Sequence, residues 1–288
     1  MSRSYLFVPA DSARKMQKAA DAGADALILD LEDSVAAGAR PAARKLACEF
    51  LQDTANVWVR INPLDTEDAR LDLDAVMPAA PAGIVLPKPR SAADAVTLSA
   101  WLDELEQEHA IDAGRTGILP VCTERPAALF ALDGYMDATP RLCGLTWGAE
   151  DLSVTLGASA NRGVEGEWLP PYDLARSLCL IAAAAAGVAA IDTVFTDYRD
   201  AEGLARYAAN ARRDGFSGML AIHPGQVDAI NRAFVPTAAE LERAERIVAL
   251  FDDNPQAGTL GMDGEMIDRP HLLQARRILG LAKKLAAK

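Results

Sequence analysis

Residues 25–35, DALILDLEDSV, combine a short apolar run with the acidic residues that end it. An apolar run of this kind, rather than strict alternation, is typical of a strand buried on both faces of a parallel sheet. Seven similar runs occur elsewhere, and each is followed by a stretch rich in Ala, Leu, Arg and Glu. The eight predicted strands are residues 4–9, 26–31, 57–62, 83–88, 117–122, 144–148, 190–196 and 219–223.

Eight strand-then-helix units predict an α/β fold, a (β/α)8 TIM barrel, which takes about 250 residues. No GxGxxG motif follows the first strand, which disfavours a doubly wound sheet. The barrel is predicted over residues 1–235, with a C-terminal helical extension over 236–288. In the extension, Thr237 and Glu240 indicate a capped helix over 237–252. A turn-rich segment is expected over 258–270, and Pro270 opens a final helix.

The composition limits the partners and the compartment. With 41 acidic and 29 basic residues, the net charge is −12, which disfavours nucleic acid and anionic membranes because their phosphates would be repelled. Four cysteines without CxxC spacing are typical of reduced thiols. The N-terminal residues lack a signal-peptide apolar stretch. The longest apolar run, 178–191, is shorter than the roughly 20 residues of a spanning helix and predicts a buried barrel helix leading into a strand. We expect a cytoplasmic protein.

Charged side chains follow the predicted strands, at the ends that face the active site of a β/α barrel. Because they come from strands distant in sequence, they converge only if the barrel closes. Carboxylates dominate. The set comprises Asp30 near the end of the second strand with Glu32 and Asp33 after it, Arg60 near the end of the third, Lys88 at the end of the fourth, Glu124 and Arg125 after the fifth, Glu150 and Asp151 after the sixth, Asp197 after the seventh and His223 at the end of the eighth.

These clustered carboxylates predict a cation site. Carboxylates close together repel one another unless a cation lies among them, and oxygen ligands without a Cys or His set favour Mg²⁺, with Mn²⁺ as the alternative. We predict Glu124 and Asp151, on adjacent strands, as direct ligands. Glu32 and Asp33 would hold metal-bound waters. Asp30 is interpreted as a residue that bonds backbone amides at the strand end.

Arg60 indicates the substrate class. A metal that chelates a carboxylate and the adjacent oxygen, beside a guanidinium that stabilises developing negative charge, suits a 2-oxo acid or a 2-hydroxy acid that becomes one. This arrangement predicts retro-aldol or retro-Claisen cleavage, or its reverse.

At these residues the sequence resembles the citrate lyase β-subunit-like group of the HpcH/HpaI aldolase family, which includes malyl-CoA and citramalyl-CoA lyases. The resemblance runs almost end to end. It rests on RSYLFVPA (3–10), DALILDLEDSV (25–35), VRINP (59–63), VLPK (85–88), the Glu of TERPAALF (123–130), WGAEDL (147–152), GFSGMLAIHPGQV (215–227) and DGEMIDRPH (263–271).

The resemblance implies a homotrimer or hexamer of barrels with Mg²⁺ on Glu124 and Asp151. It assigns Arg60 to the carbonyl oxygen. It also implies that Asp268, in an extension packed on a neighbouring subunit, acts as acid/base on the acyl-CoA carbon. Arg14, Lys15 and Lys18, in the first barrel loop, would lie near the CoA phosphates. Because the metal is the electrophile in this family, Lys88 is interpreted as a packing or charge-balancing residue rather than a Schiff-base lysine.

The predicted reaction is Mg²⁺-dependent cleavage of a malyl-CoA- or citramalyl-CoA-type thioester to a 2-oxo acid and a short acyl-CoA. Alternatives within the family are a malyl-CoA thioesterase or malate-synthase-like activity, a citrate lyase β subunit acting on a carrier thioester, and a CoA-independent hydroxy-dioate aldolase. A catalytically silent scaffold is the alternative of another class, disfavoured by the acidic residues at the rim. Arg125 stands where many relatives have Thr, and this difference leaves open which acid or thioester tail the site accepts.

Overall fold

The computed structural model describes residues 2–286 and contains a barrel of eight parallel strands. The predicted (β/α)8 TIM barrel is confirmed. The strands are β1 (Ser4–Pro9), β2 (Ala26–Asp30), β3 (Val57–Arg60), β4 (Gly83–Leu86), β5 (Gly117–Pro120), β6 (Gly144–Thr146), β7 (Ala189–Asp192) and β8 (Gly218–Ala221). The helices of this unit are α1 (Ala13–Ala20), α2 (Arg40–Asp53), α3 (Glu67–Val76), α4 (Ala92–Glu108), α5 (Glu150–Leu156), α6 (Pro170–Ala185), α7 (Ala201–Asp214) and α8 (Val227–Ala233).

The connection after β5 differs from the others. A 3₁₀ stretch, Pro126–Asp137, stands where an amphipathic helix was expected, and it is interrupted at Ala131, whose φ of −131° is not helical. As predicted, the apolar run 178–191 contains the end of a helix, α6, and leads into β7. No helix in the described part of the chain is long and apolar enough to cross a bilayer.

The barrel closes between β5 and β6 without a regular ladder. The parallel sheet runs in the order β5-β4-β3-β2-β1-β8-β7-β6, so β5 and β6 are its two edges. Backbone hydrogen bonds join them: Ile118 N donates to Arg141 O and Cys122 N donates to Thr146 O, each at 2.8 Å. Closure brings the carboxyl ends of all eight strands to one rim.

An apolar core fills the barrel interior below that rim. Trp58 lies in this core with Ile28, Val85 and Leu119. Its indole ring takes the space next to Gly83, where a Cβ would stand 2.3 Å from the ring. Only glycine therefore fits at the start of β4. The packed interior leaves the rim as the place where a cavity can form.

Most strands end earlier than the sequence predicted, because the chain turns out of the sheet to build the rim. The second strand ends at Asp30 rather than residue 31, and its carboxylate accepts hydrogen bonds from the backbone of Glu32 and Ser34. The seventh shows the largest difference: it ends at Asp192 rather than residue 196. The apolar runs in the sequence continue past the last residues paired in the sheet because the rim is itself partly buried.

A second compact unit begins after Asn231. It contains α9 (Ala238–Asp252), the antiparallel strands β9 (Thr259–Met262) and β10 (Glu265–Asp268), and α10 (Arg269–Ala286). The capped helix is confirmed: Thr237 and Glu240 form the reciprocal hydrogen bonds of a capping box. The segment expected to be only turn-rich is a β-hairpin. Asp263 and Gly264 turn it with φ of +55° and +82°, the left-handed pair that a two-residue hairpin loop requires.

Candidate active site

A cavity of about 360 Å³ opens at the carboxyl ends of the barrel strands. Seven strands contribute to its wall, either directly or through the residues that follow them. Four predicted residues line it together: Arg60, Glu124, Asp151 and Asp33. Apolar contributions come from Phe7, Val121, Trp147, Val194, Leu220 and Ile222. The cavity wall therefore combines charged and apolar side chains, as small-molecule sites do.

Arg60 is fixed in this wall by a carboxylate beneath it. Its Nε and Nη2 donate to the two oxygens of Asp30, each at 2.7 Å. The guanidinium also stands 4.9 Å from the centre of the Phe7 ring. Burial disfavours the charge of Arg60, but Asp30 outweighs burial and raises the pKa of Arg60 above its ordinary value. Arg60 is thus a permanent, oriented cation, and Asp30 does more than bond backbone amides.

Glu124 is buried, with 4% of its surface exposed. One oxygen, Oε2, accepts the backbone N–H of Lys88 at 2.6 Å. Burial, followed by the charges of Glu32 and Asp151, raises the pKa of Glu124 to about 8. Gly148 makes room for it, since a Cβ there would lie 2.8 Å from Glu124 Cγ. A buried carboxylate with one neutral donor is poorly compensated and suited to a cation.

The ammonium of Lys88 lies among the remaining carboxylates. Lys88 Nζ donates to Glu32 Oε1 at 2.7 Å and to Asp33 Oδ2 at 2.8 Å, and it stands 3.4 Å from Asp151 Oδ1. Burial opposes the charge, but Asp33 and Glu32 outweigh it, so the pKa of Lys88 is raised. Asp151 lies in the first turn of α5 and is about one-third exposed. The four carboxylates that were predicted from the sequence, Glu32, Asp33, Glu124 and Asp151, therefore all lie next to one residue, Lys88.

Glu32 retains an unused acceptor. Its Oε2 stands 3.1 Å from Arg60 Nη1 as an ion pair, yet within residues 2–286 no donor meets this buried atom with hydrogen-bond geometry. Burial raises the pKa of Glu32, while Arg60 and Lys88 lower it in part. Such an atom is placed to accept from a water molecule.

These residues fit Mg²⁺. The ion uses one or two carboxylates and keeps several waters, and two carboxylates, Glu124 and Asp151, face the cavity, with Glu32 Oε2 free to accept. In the described part of the chain, no group of three or more Asp, Glu, His or Cys side chains is arranged to hold a metal.

The predicted CoA-contacting residues form one exposed patch. Arg14, Lys15 and Lys18, which were predicted in the first barrel loop, lie instead in helix α1, whose buried face is formed by Met16 and Ala19. None of the three lines the cavity of about 360 Å³. The structure thus places them on the barrel unit, apart from the wall that holds Arg60 and Glu124.

Asp268 belongs to the second unit, where it ends β10. Its Oδ1 contacts His271 Nδ1 at 2.5 Å, and its backbone N–H donates to the same nitrogen at 3.2 Å. The side chain of Asp268 is one-third exposed. The sequence singled out Asp268 but not its pairing with His271.

Several wall residues were missed in the sequence. Phe7 and Trp147 carry no charge, so a search for titratable groups after each strand does not find them. What could have identified them is their position near the carboxyl end of a strand: Phe7 is the fourth residue of β1, and Trp147 directly follows β6. Trp147 is anchored from outside the cavity, since its Nε1 donates to buried Asp192 at 2.7 Å.

An eight-stranded barrel with charged residues and a cavity at the carboxyl ends of its strands is the arrangement of a barrel enzyme. The chain belongs to the HpcH/HpaI aldolase/citrate lyase family, whose sequence pattern matches residues 3–224. That membership places it among the lyases.

Curated relatives match over nearly the whole chain. It is 33% identical over 288 residues to the citrate lyase subunit beta of Leuconostoc mesenteroides subsp. cremoris, covering 98% of this chain and 93% of that protein. It is 34% identical over 296 residues to a (3S)-malyl-CoA thioesterase of Cereibacter sphaeroides, covering 99% and 96%. Among solved structures, CitE from Mycobacterium tuberculosis in complex with magnesium, acetoacetate and coenzyme A superposes with a TM-score of 0.83 at 35% identity, covering 98% of each chain.

Proposed function

We propose that this protein is a Mg²⁺-dependent carbon–carbon lyase acting on a malyl-CoA- or citramalyl-CoA-type thioester. Cleavage would give a 2-oxo acid, glyoxylate or pyruvate, and a short acyl-CoA. The observation that carries the proposal is that Glu124, Asp151 and Arg60 line one cavity. The similarity to a structure that contains magnesium, a 3-oxo acid and coenzyme A supports both the metal and the thioester.

Glu124 and Asp151 would bind Mg²⁺, with Mn²⁺ as the alternative, and Glu32 Oε2 and Asp33 would accept hydrogen bonds from its waters. When bound, the ion would supply Lewis-acid polarisation of the hydroxy-acid or oxo-acid end of the substrate. Ionised Glu124 requires a cation nearby, because without one its pKa is about 8. The raised pKa of Glu124 therefore supports a cationic partner at this site.

Arg60 would donate to the substrate oxygen that becomes the carbonyl of the 2-oxo acid. As the C–C bond breaks, the hydroxyl of the hydroxyacyl thioester loses its proton to solvent water, and its oxygen carries developing negative charge as it becomes the carbonyl oxygen. A guanidinium already oriented by Asp30 stabilises such charge without reorganisation. Phe7, which packs against Arg60, limits water around that contact.

The electron pair of the broken bond would pass to the α-carbon of the acyl-CoA, giving an enolate that needs one proton. We assign this proton to Asp268 of a neighbouring subunit in a homotrimer or hexamer, where the second unit would pack. Its contact with His271 supports a carboxyl of fixed orientation. Arg14, Lys15 and Lys18 would contact the CoA phosphates, as three exposed cations on one helix can.

Two other outcomes use the same residues. Water could release CoA from the thioester, which the similarity to a (3S)-malyl-CoA thioesterase favours. A carrier-bound thioester could replace the CoA ester, which the similarity to citrate lyase β subunits favours.

A condensation assay read by mass spectrometry tests the proposal. Purified protein with Mg²⁺ receives acetyl-CoA or propionyl-CoA together with glyoxylate or pyruvate, and the control contains EDTA. A Mg²⁺-dependent malyl-CoA or citramalyl-CoA adduct is expected, and it identifies the oxo acid. Free hydroxy acid plus CoA would indicate thioesterase chemistry instead. No product from any pair would contradict activity on free CoA esters, and carrier-bound thioesters would be tried next.

A further inference from the structure

Lys88 adopts a backbone conformation that its sequence context disfavours. Its φ is +48°, in the left-handed region that side chains other than glycine rarely occupy. Pro89 follows it, and a residue before proline favours the extended region with negative φ. Where a residue keeps a disfavoured conformation, the surrounding structure holds it there, and such residues cluster at functional sites.

The conformation places both ends of Lys88 in contact with the same group of carboxylates. The backbone N–H donates to Glu124 Oε2 at 2.6 Å. The ammonium donates to Glu32 and Asp33 and approaches Asp151. An ammonium has three donors, and all three acidic neighbours come from the predicted metal shell. Because β4 ends at Leu86, strand pairing does not require residue 88 to be extended.

We propose that Lys88 is a positioning residue for the metal site. Its backbone N–H orients the ligand Glu124, and its ammonium engages Glu32 and Asp33, so that Glu124 and Asp151 alone are left to bind the ion directly. Lys88 also sets the net charge that the site presents to a cation. The inference rests on the proposed function, because it takes Glu124 and Asp151 as the Mg²⁺ ligands.

The geometry disfavours a covalent role for the same lysine. A Schiff base requires a neutral amine that can attack the carbonyl carbon of an oxo acid. The ammonium of Lys88 is instead held by two hydrogen-bonded carboxylates and a third nearby. These contacts stabilise the charged form, which has no lone pair for attack.

Lys88→Met isolates the ammonium, since methionine keeps the backbone N–H and a similar length. Removing one positive charge beside the site should make Mg²⁺ bind about 10-fold more tightly by calorimetry, because the cation then faces a more negative group of carboxylates. Titrations run at about pH 9, above the pKa of Glu124, so that the ligands are ionised. Turnover should fall about 100-fold because the carboxylates lose their fixed positions.

Two further variants serve as controls. Lys45→Met removes the same charge from an exposed site on α2, where Lys45 pairs with Glu49. It should leave both Mg²⁺ affinity and turnover within about twofold of wild type. Lys88→Arg restores a cation at the site and should return Mg²⁺ affinity to near the wild-type value.

Several results would overturn the inference. One is Lys88→Met with wild-type Mg²⁺ affinity, and another is an affinity lowered equally in Lys88→Met and Lys88→Arg, which would indicate packing alone. A borohydride-trapped adduct of Lys88 with pyruvate would show a covalent role instead. If the wild-type protein lacks lyase activity but Lys88→Met still tightens Mg²⁺ binding, the proposed reaction fails and the role of Lys88 stands. Absence of Mg²⁺ binding by the wild-type protein would overturn both.

Discussion

Two buried glutamates in the barrel unit have opposite surroundings. Glu106, in α4, accepts hydrogen bonds from the backbone of Gly114 and Thr116 and from both Nη atoms of Arg141, all between 2.6 and 2.8 Å. Although burial opposes its charge, Arg141 and these amides lower its pKa to about 2. Glu124 accepts one backbone N–H, and its pKa is raised to about 8.

The difference distinguishes a carboxylate that stabilises the fold from one that is available for chemistry. Glu106 has no acceptor capacity to spare and sits in a completed ion pair. Glu124 is destabilised when ionised, because burial opposes its charge, like charges from Glu32 and Asp151 reach it, and no cation within residues 2–286 forms an ion pair with it. Carboxylates whose pKa is perturbed in this way cluster at functional sites.

The largest effect is expected for Asp151→Asn. The amide keeps the shape but removes a negative charge from the predicted ligand pair, so Mg²⁺ affinity should fall and turnover should drop about 1,000-fold or more. Calorimetry with Mg²⁺ and the condensation assay measure both, while circular dichroism checks the fold. Near-normal turnover would remove Asp151 from the ligand set.

Glu106→Gln should act on stability instead. It leaves the buried guanidinium of Arg141 with an incomplete set of partners, because within residues 2–286 Asp103 is the one other carboxylate that pairs with it. Loss of one partner from a buried ion pair costs about 3–5 kcal/mol, measured as a shift in urea midpoint. Turnover per folded molecule should stay within about twofold of wild type. A large loss of turnover without a loss of stability would break the distinction between the two glutamates.

Asp268→Ala tests a third carboxylate, in the second unit. Removing a general acid or base lowers turnover by about 100-fold, whereas Mg²⁺ affinity should not change if the ligands are Glu124 and Asp151. His271→Gln is the matched control for Asp268→Ala. It keeps the Asp268 carboxyl, and the glutamine side chain can still accept a hydrogen bond from the backbone N–H of Asp268. An unaffected rate in Asp268→Ala would leave this residue as a turn former before Pro270.

The smallest effect is the pH dependence of stability in Glu124→Gln. The folded-state pKa of Glu124, about 8, lies above its unfolded value of about 4.3. Its contribution is therefore fully present below pH 4.3 and is lost as the pH rises through about 8. In EDTA, the melting temperature of the wild type should fall by several degrees more than that of Glu124→Gln between about pH 6 and 9.

Added Mg²⁺ sharpens the same measurement. It should raise the melting temperature of the wild type most at high pH, where Glu124 can ionise, and have little effect on Glu124→Gln. Parallel pH profiles of the two proteins in EDTA would contradict the assignment of the raised pKa to this residue.

The fold was predictable because it depends on patterns that are local in the sequence. Apolar runs of strand length, repeated eight times with helical stretches between them, are sufficient for a parallel barrel. Residues such as Glu124 and Arg60 were predictable for a related reason: whatever follows a parallel strand must lie at the same rim. The hairpin after Gly258 was missed, although Asp263-Gly264 between two short runs is a hairpin signal, because each of the two strands is only four residues long.

The remaining features required the chain to be folded. The sequence showed Asp30 and Lys88 as charges after strands, and both were interpreted as structural. Their partners, Arg60 for one and Glu32, Asp33, Glu124 and Asp151 for the other, are distant in sequence. The same holds for the contrast between Glu106 and Glu124. The chemical character of a buried charge depends on the donors and charges around it, and residues such as Arg141 and Lys88 reach these carboxylates only when the chain is folded.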